Sequence, residues 1–297
     1  MLLAREGLTG KFIARTCRCS PSSVRLTIVE RMKPHYRMAR LPNHLCFDEF
    51  RSTQSTISFI CCDAETHQLV TKLHDRLSSS IIAYFENRYS SMERVKVKTV
   101  VIGLNAQYQS FIYRLFPNAK IIIYRFHIIQ LAGRALNNCR ISIMKQLDKH
   151  TREYKIMKSQ WKLFHFKTKD LHPEKPVYLW GVNEYMTRQN AVDLITNKFS
   201  DFMMVYQTYQ DITTALQSRN KELLITTLSD YQTTHSEMDI TINTLRKNQK
   251  YVLNSIKYKY SNGPLEGINR KIKNLKRSCY GFANQNFFFL RIDCIFA

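Results

Sequence analysis

LCFDEFRSTQSTISFICCDAETHQLVTKL, Leu45 to Leu73, decides the fold of this chain. LCFDEF (45–50) and ISFICCDA (57–64) are short apolar runs separated by the polar RSTQST, and HQLVTKL (67–73) follows a tight turn. Short β-favouring runs bounded by turn residues predict three antiparallel strands in a meander. Next, SSSIIAYFENR (78–88) predicts a helix with a serine cap. VKTVVIGL (97–104) is a continuous apolar run, which marks a buried central strand. Residues 106–116 predict a helix, AKIIIYRF (119–126) another buried strand, and 127–146 a further helix.

That order is the order of an α/β, ribonuclease H-like core: a mixed sheet with helices on both faces. On the C-terminal side, residues 147–255 are polar and helical in period, with a loop expected near Leu171–Val177, and read as a helical insertion. Residues 256–297 return to the core with a closing helix and a tail. On the N-terminal side, residues 8–32 predict two helices about a short turn, with Ser20 placed to cap the second. A helix-turn-helix remnant over 1–40 and a plain helical hairpin fit that pattern equally. The first part of the core then spans 41–146.

Among the 297 residues, 45 Lys and Arg against 23 Asp and Glu leave a net charge of +22. Such an excess repels itself unless a polyanion is the partner, so nucleic acid leads and an anionic membrane surface follows. Residues 1–40 alone carry nine Lys and Arg against two acids, and Arg25 lies in the second helix there. No apolar run reaches the roughly 18–20 residues that cross a bilayer. Eight cysteines occur without a Cys-x-x-Cys, which is neither a zinc pattern nor a secreted disulfide framework and points to reduced thiols in the cytoplasm.

YSNGPLEGINRKIKNLKR, Tyr260 to Arg277, predicts a helix with Gly263 as N-cap, Pro264 at the first position and Glu266 at the third. Leu265, Ile268, Ile272 and Leu275 make its apolar face, and Glu266, Asn269, Arg270, Lys273 and Arg277 a polar one. Glu266 has two readings, a cap on a basic helix or the acid of a phosphate-handling site. Asp48 sits inside the first strand, where a carboxylate is costly unless paired or metal-bound, while its neighbour Glu49 faces the other way.

LPNHLCFDEF (41–50), the run from Phe116 to Ile129 and YSNGPLEGINRKIKNLKR together resemble the insertion-sequence transposases of the ISL3 family. The resemblance implies a DDE domain of ribonuclease H-like fold, two Mg²⁺ ions, DNA strand cleavage and strand transfer at element ends, and a homo-oligomeric complex. It matches Asp48 to the first acid and Glu266 to the third, both as metal ligands. The second acid should close the fourth strand, where Gly103 stands. The family also has an aspartate where this chain has Tyr124, while Arg125, Phe126 and His127 are kept. Asn105, Asp63 and Asp75 are poor replacements, the last two reading as turn acids. A degenerate, catalytically impaired copy is therefore expected. It is also expected to be truncated, because a zinc-binding region usually precedes the helix-turn-helix.

Arg270, Lys271, Lys273, Lys276 and Arg277 are the expected phosphate contacts, with Arg25, on element ends and on duplex DNA without sequence preference. His127 reads either as an acid or as a helix-start histidine held by backbone. Trp161 and Trp180 read as packing anchors or as stacking platforms. Two further functions stay open: a DNA-binding module without chemistry, and a ribonuclease H-like nuclease that processes RNA.

Overall fold

The computed structural model describes residues 1–32, 38–104 and 106–296. The chain divides into two compact units: Met1–Tyr124 with Tyr260–Ala297, and Arg125–Lys259.

The first unit opens with three helices, α1 (Leu2–Arg5), α2 (Gly10–Thr16) and α3 (Pro21–Arg31). Thr9 caps α2 by accepting from the Phe12 N–H, and Ser20 caps α3 by accepting from the Ser23 N–H. Ile13, Ala14, Val24 and Ile28 are buried, whereas Phe12 and Val29 face water. The meander follows as β1 (His44–Arg51), β2 (Ile57–Asp63) and β3 (Leu69–Leu73), paired antiparallel. Helices α4 (Ser78–Arg88) and α5 (Ser91–Arg94) lead to β4 (Thr99–Ile102), α6 (Ala106–Leu115) and β5 (Lys120–Ile123). The result is a five-stranded mixed sheet of order β3-β2-β1-β4-β5, in which β1, β4 and β5 run parallel.

The expected serine cap on α4 is not what starts that helix. Its N-cap is Leu77, which has no capping side chain, and Asp75 instead accepts from the Leu77 N–H at 2.8 Å and from Ser80 Oγ at 3.0 Å.

The second unit begins with the long α7 (Arg125–Lys145), then α8 (Arg152–Ser159). A segment expected to be free of strands holds a hairpin, β6 (Pro176–Leu179) and β7 (Glu184–Thr187). Strands of four residues are too short to show alternation, and the Trp180–Asn183 turn, with Gly181 at φ +86°, closes them. Helices α9 (Arg188–Lys198), α10 (Ser200–Ser218), α11 (Lys221–Asp230), α12 (Glu237–Lys247) and α13 (Gln249–Lys257) complete the unit.

The first unit resumes with α14 (Gly263–Ser278) and α15 (Gln285–Phe296). The tail expected after the closing helix is thus itself helical. QNFFFLRIDCIF is apolar nearly all round, so no amphipathic period announces it, and Phe288, Ile292 and Cys294 are fully buried.

Candidate active site

Strand alternation sends β1 side chains to two faces. Phe47 packs against Phe85 of α4, Tyr108 of α6 and Phe116. Glu49 shares that side: it accepts from Arg76 Nη1 at 2.7 Å and from Tyr108 Oη at 3.0 Å. Burial, and then the Glu49 charge, hold the Tyr108 phenol well above its ordinary value. Asp48 and Phe50 face the opposite side, where Phe50 meets Phe288 and Phe289 of α15 and Asp48 meets α14.

The parallel pairing of β1 with β4 stops at Cys46 and Val101. Continued by two residues, the register sets Asp48 level with Gly103. The β4–β5 pairing ends at Ile102 and Ile123, so the next level sets Gly103 beside Tyr124, whose N–H donates to the Ile102 carbonyl at 2.8 Å. Extended past the last paired residues, the register of the three parallel strands sets Asp48, Gly103 and Tyr124 in one row, at the level where β4 and β5 end. Crevices at such ends are the usual ligand sites of parallel sheets.

Helix α14 closes over that row. The N-cap is Asn262 rather than Gly263, which moves Glu266 to the fourth helical position, where it makes no capping bond. Asn262 is 1% exposed and donates to the Phe47 carbonyl at 3.0 Å, one residue past the last β1–β4 pair. One turn on, Glu266 accepts from Tyr124 Oη at 3.0 Å. Asn269, three residues later on the same face, donates to Asp48 Oδ2 at 3.0 Å. The Glu49 N–H also donates to Asp48, to Oδ1 at 2.8 Å. Asn262 had no role in the sequence reading, yet it fixes the helix start that aims Glu266. An Asn-Gly-Pro start to a helix was the available signal.

The remaining acids have local duties. Asp63 accepts from the Glu65 N–H and from Thr66 Oγ1, a turn contact, and Asp75 starts α4 as described above. Asn105 lies outside the described residues. His127 is half-buried in the first turn of α7. Trp161 is partly exposed beside His165. Trp180 is too exposed to anchor anything by packing; it stands on the hairpin next to Tyr178.

Among the basic candidates, Arg270, Lys273 and Arg277 project into solvent from α14. Lys271 lies over the Phe296 ring, and Lys276 donates to the Ser52 carbonyl at the end of β1. Arg25 sits over the Phe287 ring.

The donor set does not fit a two-metal centre. Hard divalent ions need several oxygen ligands, and the described residues contain no group of three His, Cys, Asp or Glu side chains placed to hold an ion. Gly103 offers no side-chain oxygen. The Tyr124 phenol and the Asn269 amide donate to the Glu266 and Asp48 carboxylates, the residues that would hold a metal.

Compared with known families, residues 45–292 match the DDE transposases of the ISL3 type. The chain belongs to that transposase family. A transposase for insertion sequence element IS1001 of Bordetella parapertussis is 25% identical over 206 residues, which cover 68% of this chain and 48% of that protein. A protein of Lactococcus lactis subsp. lactis described as an ATP-dependent protease is 34% identical over 115 residues, 36% of this chain and 35% of the other. The chain thus spans about a third and about half of the lengths of these relatives. The family match covers most of the chain, including both acids and α14, and it decides between the two descriptions. No described helix is long and apolar enough to cross a membrane.

Proposed function

We propose that this transposase-family chain binds DNA and that its strand-cleaving centre is impaired. The observation that carries the reading is the row at the strand ends. Asp48 and Glu266 stand at the first and third acid positions, while the level between them holds Gly103 and a phenol bonded to Glu266. In this reading the core is ribonuclease H-like, with residues 41–146 and 256–297 forming it and 147–255 inserted. Helices α2 and α3 act as a helix-turn-helix remnant within residues 1–40. An intact family site would take two Mg²⁺ ions, and the residues present here are too few to hold them.

DNA is the partner best matched to a net charge of +22. Arg270, Lys273 and Arg277 serve the phosphates, helped by Lys271 and Arg25. A homo-oligomer on the element ends and a cytoplasmic location follow from the same reading. A non-catalytic DNA-binding protein is the second reading, favoured by the neutral donors that already occupy both carboxylates.

A gel shift beside a Mg²⁺-dependent nicking assay on element-end DNA tests the proposal. The wild type is expected to shift DNA without nicking it, and Gly103→Asp with Tyr124→Asp to restore nicking by orders of magnitude, since ligand placement supplies most of this catalysis. Metal-stimulated cleavage by the wild type would overturn the impairment. If the double variant stays silent while still binding DNA, the second reading replaces the first.

A further inference from the structure

Between the α2–α3 pair and α15 lies a cavity of about 490 Å³, within the range of small-ligand sites. Its described lining includes three cations, Lys11, Arg25 and Arg291, and no acid. Aromatic rings form part of its wall. Phe282 stacks on Phe288 at 4.7 Å and touches Phe287, and Arg25 is held 5.3 Å above the Phe287 ring.

Two features of this cavity have no structural explanation within the fold. The first is Arg291, 1% exposed on α15. Its Nη2 donates to the Leu8 carbonyl at 2.7 Å, but its Nε–H, buried, has no acceptor. A buried guanidinium donor left unsatisfied is expensive, and the fold keeps this cation beside the cavity without an acid to answer it within the described lining.

The second is Tyr280. The end of α14 is a Schellman motif, with the Tyr280 N–H donating to the Arg277 carbonyl and the Gly281 N–H to the Lys276 carbonyl. That places Tyr280 at the left-handed position, φ +56°, which normally takes glycine. The glycine comes one residue late, at Gly281. Tyr280 is also 96% exposed. An aromatic kept in a strained conformation with its ring in water gains nothing from the fold and marks a surface that meets something flat.

We propose that this cavity binds an unpaired nucleotide. The base stacks on the aromatic wall with Tyr280 at its rim, the buried Arg291 guanidinium adds positive charge behind it, and the phosphate lies against Lys11 and Arg25. Stacking accepts any base, and planar guanidinium groups suit both phosphate and ring edges. The inference rests on the DNA-binding reading and adds a place where a strand is unpaired. A free nucleotide would satisfy the same chemistry, and the experiment separates the two sources.

The full-length chain is titrated with a duplex carrying 2-aminopurine in a single-nucleotide overhang, with the fully paired duplex, and with free dAMP as competitor. The expected result is quenching of the unpaired probe and tighter binding of it than of the paired duplex. Tyr280→Gly should weaken the unpaired probe by at least about fivefold, the lower end of what aromatic stacking contributes. Its melting temperature should stay the same or rise, because glycine suits that backbone position better. Arg25→Gln, an exposed change, should weaken the same probe. Competition by dAMP assigns the site to free nucleotide as well as to a strand; its failure assigns the site to the strand. Duplex binding without quenching, or Tyr280→Gly binding like the wild type, sinks the pocket and leaves DNA binding standing. Loss of all DNA binding by the wild type sinks the parent reading instead.

Discussion

Asp293 on α15 and Asp48 on β1 are acids set against the same sheet, and their surroundings differ in kind. Asp293 meets Lys72 of β3 at 2.5 Å, with the two side chains 5% and 10% exposed. Asp48, like Glu266 nearby on α14, is met by a neutral donor, the Asn269 amide for one and the Tyr124 phenol for the other. The first arrangement is finished within the chain, since a buried charge is tolerable when an opposite charge and hydrogen bonds answer it. In the second, Asp48 on β1 and Glu266 on α14 each accept a hydrogen bond from a neutral side chain. On the proposed reading these are the first and third acid positions of the family site, kept for function rather than for the fold.

Breaking the finished pair gives the largest effect. Lys72→Met removes the ion-pair partner of the buried Asp293 and should cost about 3–5 kcal/mol, read as a shift in the denaturant midpoint at constant slope. Lys72→Met with Asp293→Leu should recover most of that loss. Were the single variant to lose under 1 kcal/mol, the pair would be no more than a surface contact and the contrast with Asp48 would collapse.

Adding a carboxylate to the other region gives a smaller effect. Asn269→Asp replaces the amide on Asp48 with a third carboxylate of the same shape. At neutral pH it should cost roughly 2 kcal/mol, from the lost hydrogen bond and like-charge repulsion. Like-charge repulsion raises the folded-state pKa of the pair above its unfolded value. The stability is therefore intact at pH below about 4 and lost as pH rises through the raised value. Mg²⁺ should raise the melting temperature of this variant and leave that of the wild type unchanged. A wild type stabilised by Mg²⁺ to the same extent would show that two acids suffice.

Most of the sheet could be read in advance, because each strand is a contiguous run with its own turn signals: LCFDEF, ISFICCD and the isoleucines of 121–123. What sequence hides is the level at which those strands meet. Tyr124 and Glu266 are 142 residues apart, and only the parallel register of β1, β4 and β5 puts Gly103 and Tyr124 in the row of Asp48. Local pattern also leaves out distant partners. The two readings of Glu266 cannot be weighed without the helix start at Asn262, and nothing local to Lys276 announces its bond to the Ser52 carbonyl. Helix α15 was missed for the opposite reason, as its burial on all sides erases the period that periodicity arguments need.

The smallest expected effect is the most discriminating. Asp48→Asn with Glu266→Gln removes both charges and keeps both shapes. Each new amide still offers one oxygen, enough for the Asn269 and Tyr124 donors, while the Glu49 N–H gives up its bond to residue 48. If these acids belong to a former metal site, the fold should lose less than about 1 kcal/mol and could gain, as residues selected for function often cost stability. Asp293→Asn, equally isosteric, should cost several times more because it unpairs Lys72. Chemical denaturation of both variants side by side measures the ratio. Equal losses would mean that Asp48 and Glu266 are structural acids, and the argument from the row at the strand ends would then lose its chemical content.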